Sequence, residues 1–268
     1  MRRRAAHGRA DAGDAGMTGG ATPAGVDPRN DVAVSRSIRD MFGRIAPRYD
    51  LLNRLLSLRV DQYWRSFLVG RVGDYLRRPG CQVLDLCCGT GDSLIALETE
   101  RGRLAQARTA VIGSDFCRPM LTAATRKLRQ RGLRSPLLEA DALTLPFSDA
   151  SLDLITMAWG FRNLADYQRG LDEMYRLLRP GGCLAILEFS RPTNRLWGPL
   201  FEFYFRRILP RIGNTISGSG QAYSYLQQSV ESFPSPVELA GAARSRGFQR
   251  VEYFPLTGGI SVLHLAYK

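Results

Sequence analysis

Residues 83–92 read Val83-Leu84-Asp85-Leu86-Cys87-Cys88-Gly89-Thr90-Gly91-Asp92. A short apolar run carrying one acid enters a turn of small residues, and helical spacing begins at Ser93. Small residues let a backbone approach a ligand closely. The helix N-terminus beyond offers free N–H groups and a partial positive charge. In an open α/β sheet, ligands bind at this carboxyl end of the strands. A tight strand–helix turn with no ligand accounts for the same ten residues, so the neighbours decide.

Two downstream neighbours bear on it. Ala110–Gly113 reads as the next strand, and Asp115 stands at its end, placed to take both hydroxyls of a ribose. The alternative is a cap for the helix that Phe116 and Pro119 open. The short strand Leu137–Glu139 leads to Asp141-Ala142, where a carboxylate can accept from the exocyclic amine of a purine, or simply close a turn. A full GxGxxG is absent, because Asp92-Ser93-Leu94 follows Gly91, and there is no Walker lysine. Both absences disfavour dinucleotides and nucleoside triphosphates.

Strand and helix signals alternate through this region. Cys81–Leu86 is a strand, Ser93–Arg108 a helix, Pro119–Arg131 a helix, Leu152–Ala158 a strand, Asp166–Leu178 an amphipathic helix and Cys183–Phe189 a strand. Pro180-Gly181-Gly182 separates the last two. Such an order predicts an α/β fold, a mostly parallel sheet with helices on both faces. Ser235–Arg246 is a further helix, with Ser235-Pro236 as its cap and first position. Val251–Leu256 and Ser261–Tyr267, split by Thr257-Gly258-Gly259, predict an antiparallel hairpin at the sheet edge.

Upstream, Ser35 to Arg78 is helical, interrupted at Pro47, with Asp61 as the expected N-cap of a helix from Gln62 to Arg78. Residues 1–34 are rich in Ala, Gly, Arg and Asp and read as a disordered extension. They lack the apolar core of a secretory signal, and Met17 is a second candidate start. The expected organisation is therefore an extension at 1–34, a helical cap at 35–78 and a core at 79–268. Arg195–Leu209 is aromatic with helical spacing. It falls in an insertion at 195–232 expected on the substrate side.

Composition narrows the setting. The chain has 268 residues, 44% hydrophobic and 23% charged, with a net charge of +12. No run is long and apolar enough for a membrane-spanning helix. Only two of the 37 basic residues are lysines, Lys127 and Lys268. A basic excess suits an anionic membrane surface, nucleic acid or a plain solvated face. Five cysteines without CxxC spacing argue against a disulfide framework and against a metal site, and favour a reduced, cytoplasmic setting.

The three acidic sites around the glycine turn resemble the Rossmann-like class I methyltransferases that use S-adenosyl-L-methionine. Leu145-Pro146-Phe147 and Leu178-Arg179-Pro180-Gly181-Gly182 recur in that class. Many members have Gly where Cys87 stands, which implies a slightly wider turn here. Other segments are more specific: Phe42-Gly43-Arg44-Ile45-Ala46-Pro47-Arg48-Tyr49-Asp50-Leu51-Leu52-Asn53, Trp64-Arg65, Trp159-Gly160-Phe161-Arg162-Asn163, Leu187-Glu188-Phe189-Ser190-Arg191-Pro192, and Tyr223-Ser224-Tyr225-Leu226-Gln227-Gln228-Ser229 before Phe233-Pro234. With them the chain resembles the ubiquinone/menaquinone-biosynthesis C-methyltransferases from Ile38 onward.

The resemblance implies a seven-stranded sheet and a ring-carbon methylation of a prenylated quinol, demethylmenaquinol ahead of a methoxy-polyprenyl-benzoquinol. Another lipophilic acceptor, or a basic nucleic-acid-binding protein, are the competing readings. No base-methylation motif supports the last, so nucleic acid is not an expected partner. Expected cofactor residues are Asp85, Gly89, Thr90, Gly91, Asp115, Phe116, Asp141, Ala142 and Ala158, the last standing where the family has Ser. Arg162 and Asn163 are the expected catalytic pair, Arg162 stabilising a phenolate or orienting a water. A structural salt bridge is its alternative. Tyr49, Asp50, Tyr223 and Tyr225 are expected over the substrate, with plain packing as the alternative. The aromatic stretch at 196–205 would line a path for the lipid tail, with peripheral contact at the inner membrane face. A buried core helix is the alternative there, and homo-oligomerisation stays open.

Overall fold

The computed structural model describes residues 20–23, 31–103, 111–192, 198, 207 and 221–268. Its centre is a seven-stranded sheet in the order β3-β2-β1-β4-β5-β7-β6. The strands are β1 (Val83–Leu86), β2 (Ile112–Asp115), β3 (Leu137–Glu139), β4 (Leu152–Ala158), β5 (Leu178–Phe189), β6 (Arg250–Leu256) and β7 (Ser261–Tyr267). β1 to β5 pair in parallel, and β7 enters antiparallel between β5 and β6.

Side chains alternate across a strand, so a strand buried on both sides feeds two cores. On β5, Leu184 and Ile186 join one core while Cys183, Ala185 and Leu187 join the other. The first core is covered by α7 (Tyr167–Leu177) and α9 (Pro236–Ser245), through Leu171, Met174, Leu239 and Ala243. The second is covered by α3 (Val60–Arg71), α4 (Gly73–Leu76), α5 (Asp92–Arg103) and α6 (Arg118–Gln130), through Leu68, Leu76, Leu94 and Leu128. The expected two-faced sheet and its C-terminal hairpin are both present.

The caps follow the sequence. Asp166 accepts from the backbone N–H groups of Gln168 and Arg169 at the start of α7. Ser235 and Glu238 form a capping box on α9, with Pro236 at the first position. Gly247 follows α9 at φ +101, the left-handed region that suits glycine after a helix end.

Three expectations need correcting. Asp61 is not an N-cap: α3 starts at Val60, two residues before the expected Gln62, and Asp61 is buried inside its first turn, accepting from Ser57 Oγ at 2.5 Å and Arg65 Nη2 at 3.2 Å. That helix also ends at Arg71, and α4 follows separately. Pro180-Gly181-Gly182 does not precede the strand but lies in β5, which starts at Leu178. Leu178 already pairs with Leu152, and Gly181 N–H donates to Lys268 O at 2.8 Å. On β7, which β6 covers, His264 is buried. Burial drives its imidazole pKa down to about 4.

The third concerns the N-terminus. α1 (Asp31–Ile45) begins four residues before the expected boundary, and Val34 is buried. Ala21 is buried too, packed with Val34, Ile38, Met41 and Tyr225. Gly20 N–H donates to Leu164 O at 2.8 Å, and a Cβ there would stand 2.2 Å from the Arg162 carbonyl oxygen. After α1, a 3₁₀ turn at Ala46–Arg48 leads into α2 (Tyr49–Leu56). The Arg195–Leu209 helix lies outside the described residues. α8 (Gln221–Glu231) follows that stretch.

Candidate active site

The carboxyl ends of β1, β2 and β4, with residues of α1 and α2, border an open cleft. Cys87 leads into the glycine turn at φ +54, a left-handed conformation uncommon for a side chain with a Cβ. Its side chain stands against Gly160, where a Cβ would come within 2.4 Å of the Cys87 Cβ. A bare Gly160 therefore makes room for a cysteine in the turn.

Asp115 ties this turn to the next strand. Its Oδ2 accepts from Gly89 N–H at 2.9 Å and its Oδ1 from Cys117 N–H at 2.9 Å. The expected ribose acid thus holds the glycine turn against Cys117, the residue from which α6 starts, without capping that helix, and each oxygen keeps a further acceptor position. Burial pushes its carboxyl up to about 6 against these two bonds. Beneath the turn, Asp85 is 1% exposed and accepts from Thr156 Oγ1 at 2.8 Å, while its Oδ2 has no partner among the described residues. Burial raises that carboxyl to about 7.

Six of the nine expected cofactor residues line the cleft: Gly89, Asp115, Phe116, Asp141, Ala142 and Ala158. Asp85, Thr90 and Gly91 do not. Asp85 supports the turn from below, and a Cβ on Gly91 would sit 3.2 Å from Ala124 Cβ, so Gly91 serves close packing of the turn on α6. Among the described residues other than its chain neighbours, the only atom within 4 Å of a would-be Cβ on Gly89 is Tyr49 Cε1, at 4.0 Å. This open floor, a carboxylate at Asp115 and another at Asp141 fit an adenosyl group bound along the turn.

Tyr49, Trp159 and Asn163 line the same cleft. Tyr225 Oη donates to Asn163 Oδ1 at 3.1 Å, which orients the amide. Tyr225 itself is buried among Ile38 and Met41 rather than exposed in the cleft. Tyr223 is on α8, its side chain outside the described residues. Asp50 does not line the cleft either; its Oδ1 accepts from Thr90 Oγ1 at 2.5 Å and its Oδ2 from Lys127 Nζ at 2.8 Å.

Arg162 sits behind the wall, not in it. Its side chain is 6% exposed and its Nη1 lies 2.7 Å from Glu188 Oε1, on a carboxylate that is 1% exposed. The same Nη1 donates to Trp159 O at 2.6 Å. So the salt bridge weighed as the alternative is present. Arg162 Nε nonetheless has no hydrogen-bond partner among the described residues. Glu188 also accepts from Arg162 N–H at 3.2 Å and Phe189 N–H at 2.8 Å. Its role escaped the sequence reading, because the two residues lie 26 positions apart on different strand ends.

Among the described residues no cluster of His, Cys, Asp or Glu could hold a metal ion. No described helix is long and apolar enough to cross a membrane.

The strand order, the antiparallel β7 and the glycine turn closing β1 define a class I S-adenosylmethionine-dependent methyltransferase. A methyltransferase of this class from Aquifex aeolicus superposes with a TM-score of 0.52 at 20% identity, covering 74% of this chain and 87% of that one, a likeness of fold alone. The ubiE/COQ5 methyltransferase family matches residues 30–268, and the chain belongs to that family. It is 47% identical over 225 residues to a demethylmenaquinone methyltransferase of Thermus thermophilus, covering 84% of this chain and 98% of that protein. A demethylmenaquinone methyltransferase of Deinococcus radiodurans is 46% identical over 233 residues, covering 87% and 93%.

Proposed function

We propose that the chain moves the methyl group of S-adenosylmethionine to a ring carbon of demethylmenaquinol, giving menaquinol. One observation carries the reading: Gly89 of the glycine turn and the acids Asp115 and Asp141 line the same cleft as Tyr49, Trp159 and Asn163. The names of the Thermus and Deinococcus relatives support the acceptor.

S-adenosylmethionine supplies an electrophilic methyl on a sulfonium. Gly89 and Asp115 would hold its ribose end, Asp141 its purine amine, and Phe116 and Ala142 the flat faces of the ring. A quinol oxygen that loses its proton raises electron density on the neighbouring ring carbon, and that carbon is the nucleophile. Holding the two reactants in line is the largest part of the work. Asn163 would orient the quinol oxygen. Arg162 would serve from behind the wall: its Nη1 and the Asn163 amide both donate to Trp159 O, so it would hold Asn163 in line with the developing oxyanion or with a water that takes the departing ring proton. Burial holds Tyr49's phenol above its ordinary pKa, so it serves as a donor or a wall rather than a base. The acceptor's prenyl tail partitions into lipid, so the reading includes peripheral contact at the inner face of the membrane, to which the +12 charge is suited.

The test is genetic complementation with quinone extraction. In a strain that lacks its own menaquinone methylase, the chain restores menaquinone and depletes the demethylated precursor. Accumulated demethylmenaquinone with a newly methylated methoxybenzoquinol instead would move the acceptor to the ubiquinone precursor.

A further inference from the structure

Lys127 is one of two lysines in a chain with 37 basic residues, and its helix otherwise carries arginines at 118, 126 and 129. It reaches three oxygens from three different segments: Asp50 Oδ2 of α2 at 2.8 Å, Thr90 Oγ1 of the glycine turn at 3.2 Å, and Asp92 Oδ1 at the start of α5. Thr90 Oγ1 also donates to Asp50 Oδ1 at 2.5 Å. The lysine side chain is 13% exposed and the two carboxylates 28% and 26%. An ammonium presents three donors around one point, whereas a guanidinium presents a planar fork. Three acceptors converging on one atom select the ammonium.

The consequence lies one residue away. Tyr49, next to Asp50, is the side chain nearest the open space above Gly89 and packs edge-on against Phe42, with ring centroids 6.1 Å apart. We propose that Lys127 is a positioning residue. It fastens α2 to the glycine turn through Asp50, Thr90 and Asp92, and so fixes Tyr49 as the roof of the cleft where cofactor and acceptor meet. This rests on the methyl-transfer reading for its consequence in catalysis, but the fastening itself is a property of the free chain.

The experiment therefore has two arms on the full chain. Amide hydrogen exchange of the protein without ligand reads the fastening. Lys127→Met speeds exchange in α2 by about tenfold, the order lost with one charge-assisted hydrogen bond, while β1 and β4 keep parental protection. Lys127→Arg falls between the two, because it restores charge without the three-way fit. Asp50→Asn reproduces the α2 signature and serves if Lys127→Met does not fold. Steady-state kinetics reads the consequence: kcat/KM for demethylmenaquinol falls by about tenfold in Lys127→Met, with partial recovery in Lys127→Arg. Parental α2 exchange in both Lys127→Met and Asp50→Asn overturns the proposal, as does equal loss of protection across the whole sheet. A parent that methylates no quinol, with α2 exchange still responding, refutes the acceptor and not the fastening.

Discussion

Replacing Arg162 by methionine separates its two roles. The substitution leaves the Glu188 carboxylate, 1% exposed, without its cation. Breaking a buried pair from one side costs about 3–5 kcal/mol, because the surviving charge is uncompensated. For a chain of this size each kcal/mol moves Tm by about 2–4 °C, so Arg162→Met should melt roughly 6–20 °C below the parent. Adding Glu188→Gln removes the stranded charge, and its one carbonyl oxygen keeps one of the two bonds that Glu188 accepts, from Arg162 N–H on Oε2 and from Phe189 N–H on Oε1. The double variant should regain about half of the loss, since the unsatisfied charge, not the hydrogen bonds, is the larger penalty. Turnover should not follow. If Arg162 positions the Trp159–Asn163 wall for the reacting oxygen, kcat stays down by ~10²-fold in both variants, the order that a small misplacement costs. Affinity for S-adenosylhomocysteine should stay near parental, because Arg162 does not line the cleft. Circular-dichroism melting, initial rates and calorimetry on one preparation give all three numbers. A double variant with recovered Tm and parental kcat would show Arg162 to be structural only.

Three further outcomes follow from other contacts. Asp115→Ala should weaken S-adenosylhomocysteine binding by about 1–3 kcal/mol, the usual cost of stranded polar partners, and calorimetry finding parental affinity would remove Asp115 from the cofactor site. Asp85 carries a pH signature. Its folded pKa of about 7 lies above its unfolded value, so the folded state binds the extra proton and this group's contribution falls as pH rises from about 4 to 7. Asp85→Asn should therefore gain on the parent across that range in thermal melts and gain nothing more above it; a pH-independent difference would contradict the raised pKa. A chain starting at Ser35 should lose about 2–4 kcal/mol relative to one starting at Gly20, because Val34 and Ala21 leave their cluster with Tyr225. Equal denaturation midpoints for the two would contradict that packing.

What the sequence made legible is what depends on local pattern. β3 and β4 fall on their expected residues, since apolar runs bounded by turn residues are unambiguous over so short a span. The caps Asp166 and Ser235 were readable for the same reason. Asp61 was misplaced because a residue that caps a helix also suits its first turn, and only Arg65 and Ser57 decide between them. The start of β5 was hidden because Pro-Gly-Gly signals a break, while its pairing with Lys268 comes from the far end of the chain. The cleft divides in the same way. Gly89, Asp115 and Asp141 follow strand ends, so their spacing announces them. Arg162 with Glu188, and Lys127 with Asp50 77 positions away, are ion pairs made by the fold, and nothing local marks them. The composition held one clue: a lysine kept at 127 among so many arginines.

Mass spectrometry of the product decides most directly what the cleft does. Purified enzyme is given S-adenosylmethionine carrying a trideuterated methyl group, with demethylmenaquinol in lipid vesicles. Menaquinol bearing the intact trideuteromethyl group on a ring carbon, with one ring hydrogen lost, is the expected product, and Asn163→Ala should slow its appearance. Label on a quinol oxygen, or no label in any quinol while S-adenosylhomocysteine still binds, would contradict methyl transfer to the ring.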